Sequence, residues 1–259
     1  MGKESRKDTK LLSRNNKIMN NFFNINFEFD NNIIKKRIND IITTNGKGYV
    51  GVVDANVLTI AQKKTDYLQI VNNSILNICD GSSITWLAGL IYKKQYLSKN
   101  GPEFFKDYIE SEYNQLILGN TQNIVEKVKA KLNTIKTDNK HVQYLSLPFL
   151  NVDEFNYIEI ADKINKINPD IIWVSLGAPK QEIFISKIID YINRGVLVGI
   201  GAAINIYIGE ISIPNKKFGA LKFIWLNRIF HEPKKQLNRI IPYLLILPKI
   251  IYYEIKKEK

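Results

Sequence analysis

Short apolar runs alternate with amphipathic segments along the middle of the chain. Six runs rich in branched apolar residues end in a polar residue or a glycine, as buried strands do, at 49–56, 74–81, 115–120, 142–147, 170–177 and 196–202. Helical spacing lies between them, at about 82–93, 102–113, 121–136, 153–167 and 180–194. In one of these segments, Ile124, Val128 and Leu132 recur every four residues behind Thr121, a suitable N-cap. This alternation predicts an α/β protein with a mostly parallel sheet of about six strands and flanking helices.

The carboxyl ends of these strands are where we expect chemistry, because open parallel sheets bind ligands there. Five of the six predicted ends carry acidic, amide or glycine residues; the ends hold Asp54 and Asn56, Asp80 and Gly81, Gly119 and Asn120, Leu147 and Pro148, Gly177 to Gln181, and Gly199 to Gly201.

Composition removes several classes of site. The 259 residues include one cysteine, Cys79, and two distant histidines, His141 and His231. A disulfide framework and a cysteine or histidine metal cluster are therefore excluded, and we expect no metal and no cofactor. The start of the chain is polar and rich in lysine, unlike a signal peptide, so we expect the protein to stay in the cytoplasm.

The net charge of +12 is concentrated at the two ends of the chain. Residues 1–17 carry six basic and two acidic side chains, residues 216–259 carry eleven and three, and the residues between carry twenty of each. A neutral body with basic ends argues against nucleic acid as a partner and suits an anionic membrane surface or a phosphorylated ligand. The apolar stretch at 240–253 is broken by Pro242, Pro248 and Lys249, so it is too short to span a bilayer but could lie on one.

Two motifs allow a functional and a purely structural interpretation. Gly177 to Glu182 is either a phosphate-binding helix start, with Lys180 facing an anion and Gln181 donating or accepting hydrogen bonds, or an ordinary turn. Asp80 is either a general base or the N-cap of the next helix, and Asp54 has the same two interpretations. Cys79 is expected to be a small buried residue.

The C-terminal block also allows two interpretations. Leu221, Ile224, Trp225 and Ile229 suggest one helix, and Pro233 begins a second one close to basic side chains. This block is either a packed terminal helix with a solvated basic face or a surface for headgroups and a diphosphate.

An ordered set of motifs carries a resemblance. The segments CDG (79–81), NGPEFF (100–105), ILGN (117–120), DIIWVSLGAPKQE (170–182), GIGAAINIYIGE (199–210) and FIWLNRIFHEP (223–233) together resemble the WecG/TagA/CpsF family of bacterial glycosyltransferases, glycosyltransferase family 26. The resemblance covers roughly residues 48–243 and is strongest over 177–233.

The resemblance implies a Rossmann-like domain with a C-terminal helical appendage that completes the site and holds the protein on the inner face of the membrane. It implies an inverting, metal-independent enzyme that moves a sugar, often of the N-acetylmannosamine type, from a UDP donor to a lipid-diphosphate-linked sugar. We accordingly predict an N-terminal extension at 1–25, a catalytic domain at 26–215 and an appendage at 216–259, and leave a homo-oligomer open.

The same resemblance assigns roles to residues. Asp80 falls on the proposed general base and Gln181 on a group near the sugar or its acceptor. The expected substrate contacts are Asp54, Asn56, Gly81, Gly101, Gly177, Lys180, Glu182, Gly201, Ala202, Asn205, Arg228, Lys235 and Arg239.

The chain departs from the family pattern at Asp54, Asn205, Ile224 and Lys235, where relatives commonly carry Thr, Asp, Glu and Arg. Asp54 and Asn205 fall at expected sugar or nucleotide contacts, so a hexose or a uronic acid stays open as the donor sugar. A non-catalytic nucleotide-sugar-binding or scaffold protein on the same fold is the alternative function.

Overall fold

The computed structural model describes residues 20–135, 140–211, 217–218, 221–222 and 233–258. The strands are β1 (Asn20–Phe22), β2 (Ile25–Phe27), β3 (Lys47–Val53), β4 (Leu76–Cys79), β5 (Gln115–Gly119), β6 (Val142–Leu145), β7 (Ile171–Ser175), β8 (Gly195–Gly199), β9 (Lys217–Phe218) and β10 (Leu221–Lys222). The helices are α1 (Asn31–Thr43), α2 (Ala55–Lys63), α3 (Thr65–Asn72), α4 (Ser82–Tyr92), α5 (Gly101–Ile109), α6 (Gln122–Ile135), α7 (Tyr157–Ile167), α8 (Lys180–Ile188), α9 (Ala203–Tyr207) and α10 (Pro233–Glu258), with a 3₁₀ turn at Val152–Glu154.

Six strands form one sheet in the order β4-β3-β8-β7-β5-β6, and every neighbouring pair is parallel. Side chains of β7 alternate between the two faces of this sheet: Ile171 and Trp173 pack with α1, α5 and α6, whereas Ile172 and Val174 pack with α7 and α8. Both faces are therefore buried under helices, as expected for a parallel sheet. The predicted six-stranded, mostly parallel Rossmann-like α/β fold is confirmed.

The predicted strands and helices agree with the structure to within a few residues, with two local differences. The first predicted strand, 49–56, ends at Val53, because Asp54 caps a helix that begins at Ala55. The last helix of the predicted set, 180–194, ends at Ile188 and is followed by a turn that leads into β8.

Four helices, α1, α2, α3 and α9, are absent from the sequence prediction. The signal for α1 was present: Ile34, Ile38 and Ile42 recur every four residues, and Asp30 caps the helix through the amides of Asn32 and Ile33. Short helices such as the eight-residue α3 carry too few turns for periodicity to mark them.

The N-terminal hairpin of β1 and β2 packs into the body of the molecule. Phe22, Phe23, Ile25 and Phe27 are all buried, in a cluster that also contains residues of α2, α3, α4 and α10. The boundary predicted at residue 25 therefore falls inside this hairpin. The division into a catalytic domain and an appendage stays a prediction.

The C-terminal block begins differently from the sequence expectation. Leu221 was predicted to lie in a helix, but it pairs with Phe218 across the antiparallel strands β9 and β10. Only two residues, beginning with Gly219, connect these strands, and such a connection favours a hairpin over the helix that apolar spacing suggested. Ile224, Trp225 and Ile229 lie outside the described residues.

The second predicted helix, beginning at Pro233, is α10, and it runs for 26 residues with Pro242 and Pro248 inside it. Its inner face packs on α2 and α4. Within the part of the chain that the structure describes, no helix combines the length and apolar character needed to cross a membrane.

Candidate functional site

The candidate residues of the body gather at one edge of the sheet. The neighbouring strands β4, β3, β8 and β7 end just before Asp80, Asp54, Ile200 and Leu176, respectively. The helix that follows β3, α2, packs on the same face of the sheet as α8, whereas the helix that follows β8, α9, packs on the opposite face, so the loops after β3 and β8 diverge. This arrangement makes the crevice in which open parallel sheets bind ligands.

Asp80 lies directly after β4, and its backbone amide donates to the Val53 carbonyl oxygen of β3 at 2.9 Å. Gly81, rather than Asp80, occupies the N-cap position of α4 and supplies no side-chain hydrogen bond to it. Asp80 is thus not the N-cap residue that the structural interpretation required. Its side chain is only partly buried.

Gly101 opens α5 beside the Asp80 carboxylate. A Cβ atom placed on Gly101 would lie 3.2 Å from Oδ2 of Asp80, 3.4 Å from Cγ1 of Val52 and 3.8 Å from Cβ of Ala203. The bare backbone of Gly101 therefore leaves just enough room for Asp80. The start of α5 is itself capped, since Asn100 Oδ1 accepts from the Glu103 amide at 2.8 Å.

Gln181 joins the two glycine loops that follow β7 and β8. Its Oε1 accepts from the Gly177 amide and from the Gly201 amide, each at 3.1 Å, and only 5% of the residue is exposed. Both glycines have positive φ, +75° and +45°, which a side chain would strain. The Gln181 side chain is therefore part of the framework of the site as well as one of its polar groups.

Glu182 is held by the protein through both of its carboxylate oxygens. Gln181 Nε2 donates to Oε1 at 2.8 Å, and the hydroxyl of Tyr67 on α3 donates to Oε2 at 3.0 Å. Burial among apolar residues raises the pKa of Glu182 to about 7, and the charge of Asp54 acts in the same direction, although the hydrogen bonds lower it. Burial first, and then the charge of Glu182, raise the pKa of Tyr67.

Asp54 is a helix cap in the structure. Its Oδ1 accepts from the Val57 amide at 2.8 Å, and its backbone is extended. Asn56 accordingly lies in the first turn of α2, where it is partly exposed, rather than at the end of a strand.

Lys180 does not extend into a free anion-binding position. Its Nζ donates to the Leu150 carbonyl oxygen, and it stands 5.2 Å from the centre of the Phe155 ring. Lys180 therefore ties the start of α8 to the loop that precedes α7, and the cation expected to face an anion is engaged there instead.

The loop after β8 continues through Gly201 and Ala202, the N-cap of α9, to Asn205. A chain of hydrogen bonds supports this loop: Asn120 Nδ2 donates to Ser175 Oγ at 3.1 Å, and Ser175 Oγ donates to the Gly201 carbonyl oxygen at 3.2 Å. Oδ1 of Asn205 is enclosed and has no hydrogen-bond partner within the described residues.

The expected basic contacts of the appendage are described unevenly. Arg228 lies outside the described residues, and of Lys235 the structure describes only the backbone, in α10. Arg239 is a partly exposed residue of α10. The contact of these three cations with a substrate therefore stays a prediction.

Helix α10 is fixed to the body by a buried carboxylate. Glu254, 1% exposed, accepts from the Phe23 amide at 2.9 Å and from the Tyr92 hydroxyl at 2.6 Å. Lys257, one turn along, donates to the same carboxylate at 3.1 Å. Tyr243 completes the attachment through a 3.3 Å hydrogen bond between its hydroxyl and Ser83 Oγ of α4.

The outer face of α10 is apolar. Its exposed large side chains, most of them three, four or seven residues apart, are Leu237, Ile241, Leu244, Leu245, Tyr252, Tyr253 and Ile255. Among the side chains of this helix that the structure describes, the exposed lysines are Lys234, Lys249, Lys256 and Lys257. We call the first set the outer stripe; it is typical of a helix whose apolar side meets a partner or a membrane.

Several functional features escaped sequence reasoning. Tyr67, Asn120 with Ser175, and Glu254 act through partners that are distant in sequence, so no local pattern marks them. In the described ranges, no three His, Cys, Asp or Glu side chains are grouped so that they could hold a metal ion. Cys79 is buried, as predicted, and burial together with Asp80 raises the pKa of its thiol.

A doubly covered parallel sheet with acidic residues and glycines at its carboxyl edge defines a Rossmann-like α/β protein, a class in which ligands bind at that edge. Comparison with known sequences gives the family: the sequence model of the glycosyl transferase WecG/TagA/CpsF family matches residues 21–259. The chain belongs to this family, and the resemblance seen in its motifs is confirmed. It is therefore a transferase of the glycosyltransferase kind.

Characterised relatives carry one name, N-acetylglucosaminyldiphosphoundecaprenol N-acetyl-beta-D-mannosaminyltransferase. The protein of this name from Bacillus subtilis (strain 168) is 20% identical over 218 residues, which cover 81% of this chain and 80% of the relative. The one from Staphylococcus aureus (strain MW2) is 24% identical over 248 residues, 90% of this chain and 91% of the relative. The one from Bacillus spizizenii is 30% identical over 101 residues, 39% and 37% of the two chains.

Proposed function

We propose that the chain is an inverting glycosyltransferase that moves a sugar from a UDP-sugar donor to a polyprenyl-diphosphate-linked sugar in cell-surface polysaccharide biosynthesis. The names of the relatives support the acceptor class, since each names a lipid-diphosphate-linked N-acetylglucosamine. The same names favour a donor of the N-acetylmannosamine type; a related hexose or a uronic acid is the second candidate.

The observation that carries this proposal is the position of Asp80. A carboxylate lies at the carboxyl edge of the sheet, beside a helix start whose first residue, Gly101, has no side chain to cover it. In the proposed reaction, Asp80 removes the proton from the acceptor hydroxyl, and the resulting oxygen attacks the anomeric carbon of the donor. The bond between that carbon and the diphosphate oxygen breaks, UDP leaves, and the new glycosidic bond has inverted configuration.

The departing UDP requires positive charge, which we assign to the protein without a metal. The helices α4 and α8 begin directly after the carboxyl ends of β4 and β7, so the positive ends of their dipoles lie at this edge of the sheet, where they would favour a diphosphate. Arg228, Lys235 and Arg239 of the predicted appendage would add positive charge next to the diphosphate. Gln181 would keep the Gly177 and Gly201 loops in place around the donor.

We further propose that α10 binds an anionic membrane surface, at the inner face of the cell membrane, where a lipid-linked acceptor would be found. The outer stripe supplies the apolar contact, and Lys234, Lys249 and Lys256 supply the attraction to anionic headgroups. The attachment of α10 to the body through Glu254 would hold the catalytic crevice at a fixed distance from that surface.

The decisive experiment measures sugar transfer from a panel of UDP-sugars to a synthetic polyprenyl-diphosphate N-acetylglucosamine in detergent. Asp80→Asn should lower kcat by about 100-fold or more, because it removes the general base. Asp162→Asn, which makes the same chemical change at an exposed position of α7, is the matched control and should leave kcat unchanged. Transfer by Asp80→Asn at the wild-type rate would contradict the assignment of the base.

Calorimetric titration separates the enzyme from the alternative. UDP should bind the full chain with lipid present in EDTA, and added Mg²⁺ should not tighten binding; ADP is the control nucleotide. Binding of UDP without turnover of any UDP-sugar would favour the nucleotide-sugar-binding or scaffold protein instead. Binding that requires Mg²⁺ would contradict the metal-independent part of the proposal.

A further inference from the structure

The Gln181 side chain can hold the two glycine loops only in one orientation of its amide. Oε1 lies 3.1 Å from the amide nitrogen of Gly177 and 3.1 Å from that of Gly201, and it accepts a hydrogen bond from each. If the amide turned by half a rotation, NH₂ would face two N–H groups and both hydrogen bonds would be lost. The residue is almost fully buried, so water could not readily replace them.

Glu182 supplies the contact that selects this orientation. Its Oε1 accepts from Nε2 of Gln181 at 2.8 Å. If the Gln181 amide had the opposite orientation, its oxygen would face this carboxylate oxygen instead. Two oxygens in such contact repel each other unless one of them is protonated. Glu182 is thus linked through Gln181 to both loops of the candidate site.

The Glu182 carboxylate is itself fixed by a helix on the far side of the contact. The Tyr67 hydroxyl of α3 donates to Oε2 at 3.0 Å, and α3 packs on α8. Apolar side chains, among them Val53, Val57 and Ile185, line the cavity beside Glu182, and its own backbone N–H is a further donor to the carboxylate. The carboxylate is thus held by groups of α8 and by a tyrosine of α3 that is 2% exposed.

We propose that Glu182 is a positioning residue: held by Tyr67, it fixes the orientation of the Gln181 amide and thereby the spacing of the Gly177 and Gly201 loops that receive the donor. This inference rests on the proposed function for its effect on catalysis. Its structural half, that Glu182 controls the two glycine loops, stands on the hydrogen bonds alone.

The arrangement requires Glu182 to accept two hydrogen bonds, one at each oxygen, and the ionised form does this best. Protonation would place a hydrogen on one oxygen, and either Tyr67 or Gln181 would have to rearrange. The titratable groups that face Glu182 are Tyr67 on α3 and Asp54 at the start of α2, and burial is the main cause of its raised pKa of about 7. Loop spacing is therefore expected to change as the pH falls through neutrality.

Three variants and a control test the effect on catalysis. Glu182→Ala should lower kcat/KM at about pH 8 by at least tenfold, because the Gln181 amide is free to turn. Glu182→Gln carries a neutral side chain of the same shape as the protonated carboxyl, so it should lose the fall in activity near pH 7 and keep, at every pH, about the kcat/KM that the wild type has below that fall. Its oxygen can still accept from Gln181, so its loss should be smaller than that of Glu182→Ala. Tyr67→Phe should move that fall to higher pH, since the hydroxyl favours the ionised carboxylate.

The matched control is Glu159→Gln, the same substitution at an exposed glutamate of α7. It should keep both the wild-type rate and the wild-type pH profile. If Glu182→Ala keeps the wild-type rate, or if Glu182→Gln loses as much activity as Glu182→Ala, then Glu182 does not position the site.

A spectroscopic measurement separates this inference from the proposed function. In chains labelled with ¹⁵N-glycine, the backbone amide signals of Gly177 and Gly201 should shift with a midpoint near pH 7 in the wild type and stay in place in Glu182→Gln. Gly46, beyond the other edge of the sheet, is the internal reference. If the wild type has no transferase activity, the proposed function is wrong, but the pH dependence of these signals still tests the role of Glu182. If the wild type is active and the signals do not move with pH, only the inference about Glu182 is wrong.

Discussion

Glu182 places a carboxylate among apolar side chains, and this has a consequence for stability as well as for the site. Burial raises its pKa from 4.5 to about 7. Between these two values the folded chain binds a proton that the unfolded chain does not, so the free energy of unfolding falls as the pH rises across the window. Relative to Glu182→Gln, the wild type should lose thermal stability steadily from about pH 5 to about pH 8, as measured by calorimetry.

Glu159→Gln provides the comparison for this measurement. Lys163 lowers the pKa of Glu159, so its titration lies below the window, and the difference between this variant and the wild type should stay constant there. A constant difference for Glu182→Gln as well would mean that the Glu182 carboxylate is not desolvated.

Gly101 tests how closely the start of α5 approaches the proposed base. Gly101→Ala is compatible with a helix, but its Cβ would press on Oδ2 of Asp80 at 3.2 Å. We expect kcat/KM to fall by about tenfold with little change in the thermal midpoint, since a small displacement of a catalytic group is costly. Gly46→Ala, whose Cβ would meet its nearest neighbours at an ordinary 3.4 Å, should change neither quantity. Wild-type activity in Gly101→Ala would place the reacting groups elsewhere.

At the scale of elements, the sequence predicted what local pattern determines. The six central strands follow from their apolar runs, and the helices that alternate with them follow from their periodicity. The contacts that finish the site join distant elements: Tyr67 to Glu182 across 115 positions, and Phe23 to Glu254 across 231. Such pairs depend on the packing of whole helices, so no window of sequence contains them.

The same reasoning explains which of the candidate residues changed their interpretation. The sequence places Asp54 and Lys180 at helix starts, but it does not show whether each contacts a ligand or another part of the chain. That choice depends on what stands opposite: the Val57 amide for Asp54, and the Leu150 carbonyl for Lys180. Asp80 could be told apart from a cap only when Gly81 was found at the start of α4.

Helix α10 should depend on its buried carboxylate for stability. Glu254→Ala would leave the Phe23 amide and the Tyr92 hydroxyl without their acceptor, so we expect a loss of about 3 kcal/mol in the free energy of unfolding. Urea unfolding, followed by circular dichroism, measures this difference. The exposed control Glu159→Ala breaks a surface ion pair with Lys163 and a 3.4 Å hydrogen bond from Asn156, and it should cost much less, because water solvates both groups. Equal losses in the two variants would mean that α10 is not held through Glu254.

At the scale of the whole molecule, positive charge and apolar surface occur together on α10. The twenty acidic and twenty basic residues between positions 18 and 215 balance each other, whereas the sequence of α10 has six basic and two acidic residues as well as the outer stripe. The combination of aliphatic side chains and lysines on one helix favours a surface that is both apolar and anionic. A salt-dependent affinity for anionic lipid should therefore be a property of this helix rather than of the body.

The outer stripe can be tested without reference to catalysis. Ile241→Gln combined with Leu245→Gln removes two side chains that are 52% and 76% exposed. Each substitution removes about 1 kcal/mol or more from the free energy of transfer into the headgroup region. The fraction of protein that floats with phosphatidylglycerol vesicles should therefore fall by roughly tenfold or more. Ile158→Gln removes a 61% exposed isoleucine from α7 and is the matched control, which should float like the wild type.

The lysines give the second half of this prediction. Raising the salt concentration from about 0.1 M to about 0.5 M shortens the range of the charges and should weaken wild-type binding to anionic vesicles, with little effect on the weaker binding to neutral phosphatidylcholine. The two contributions are separable, since the double variant should keep the salt dependence at a lower overall affinity. If the double variant and Ile158→Gln floated equally well, the membrane would have to meet another face of the molecule, and α10 would be only a packed terminal helix.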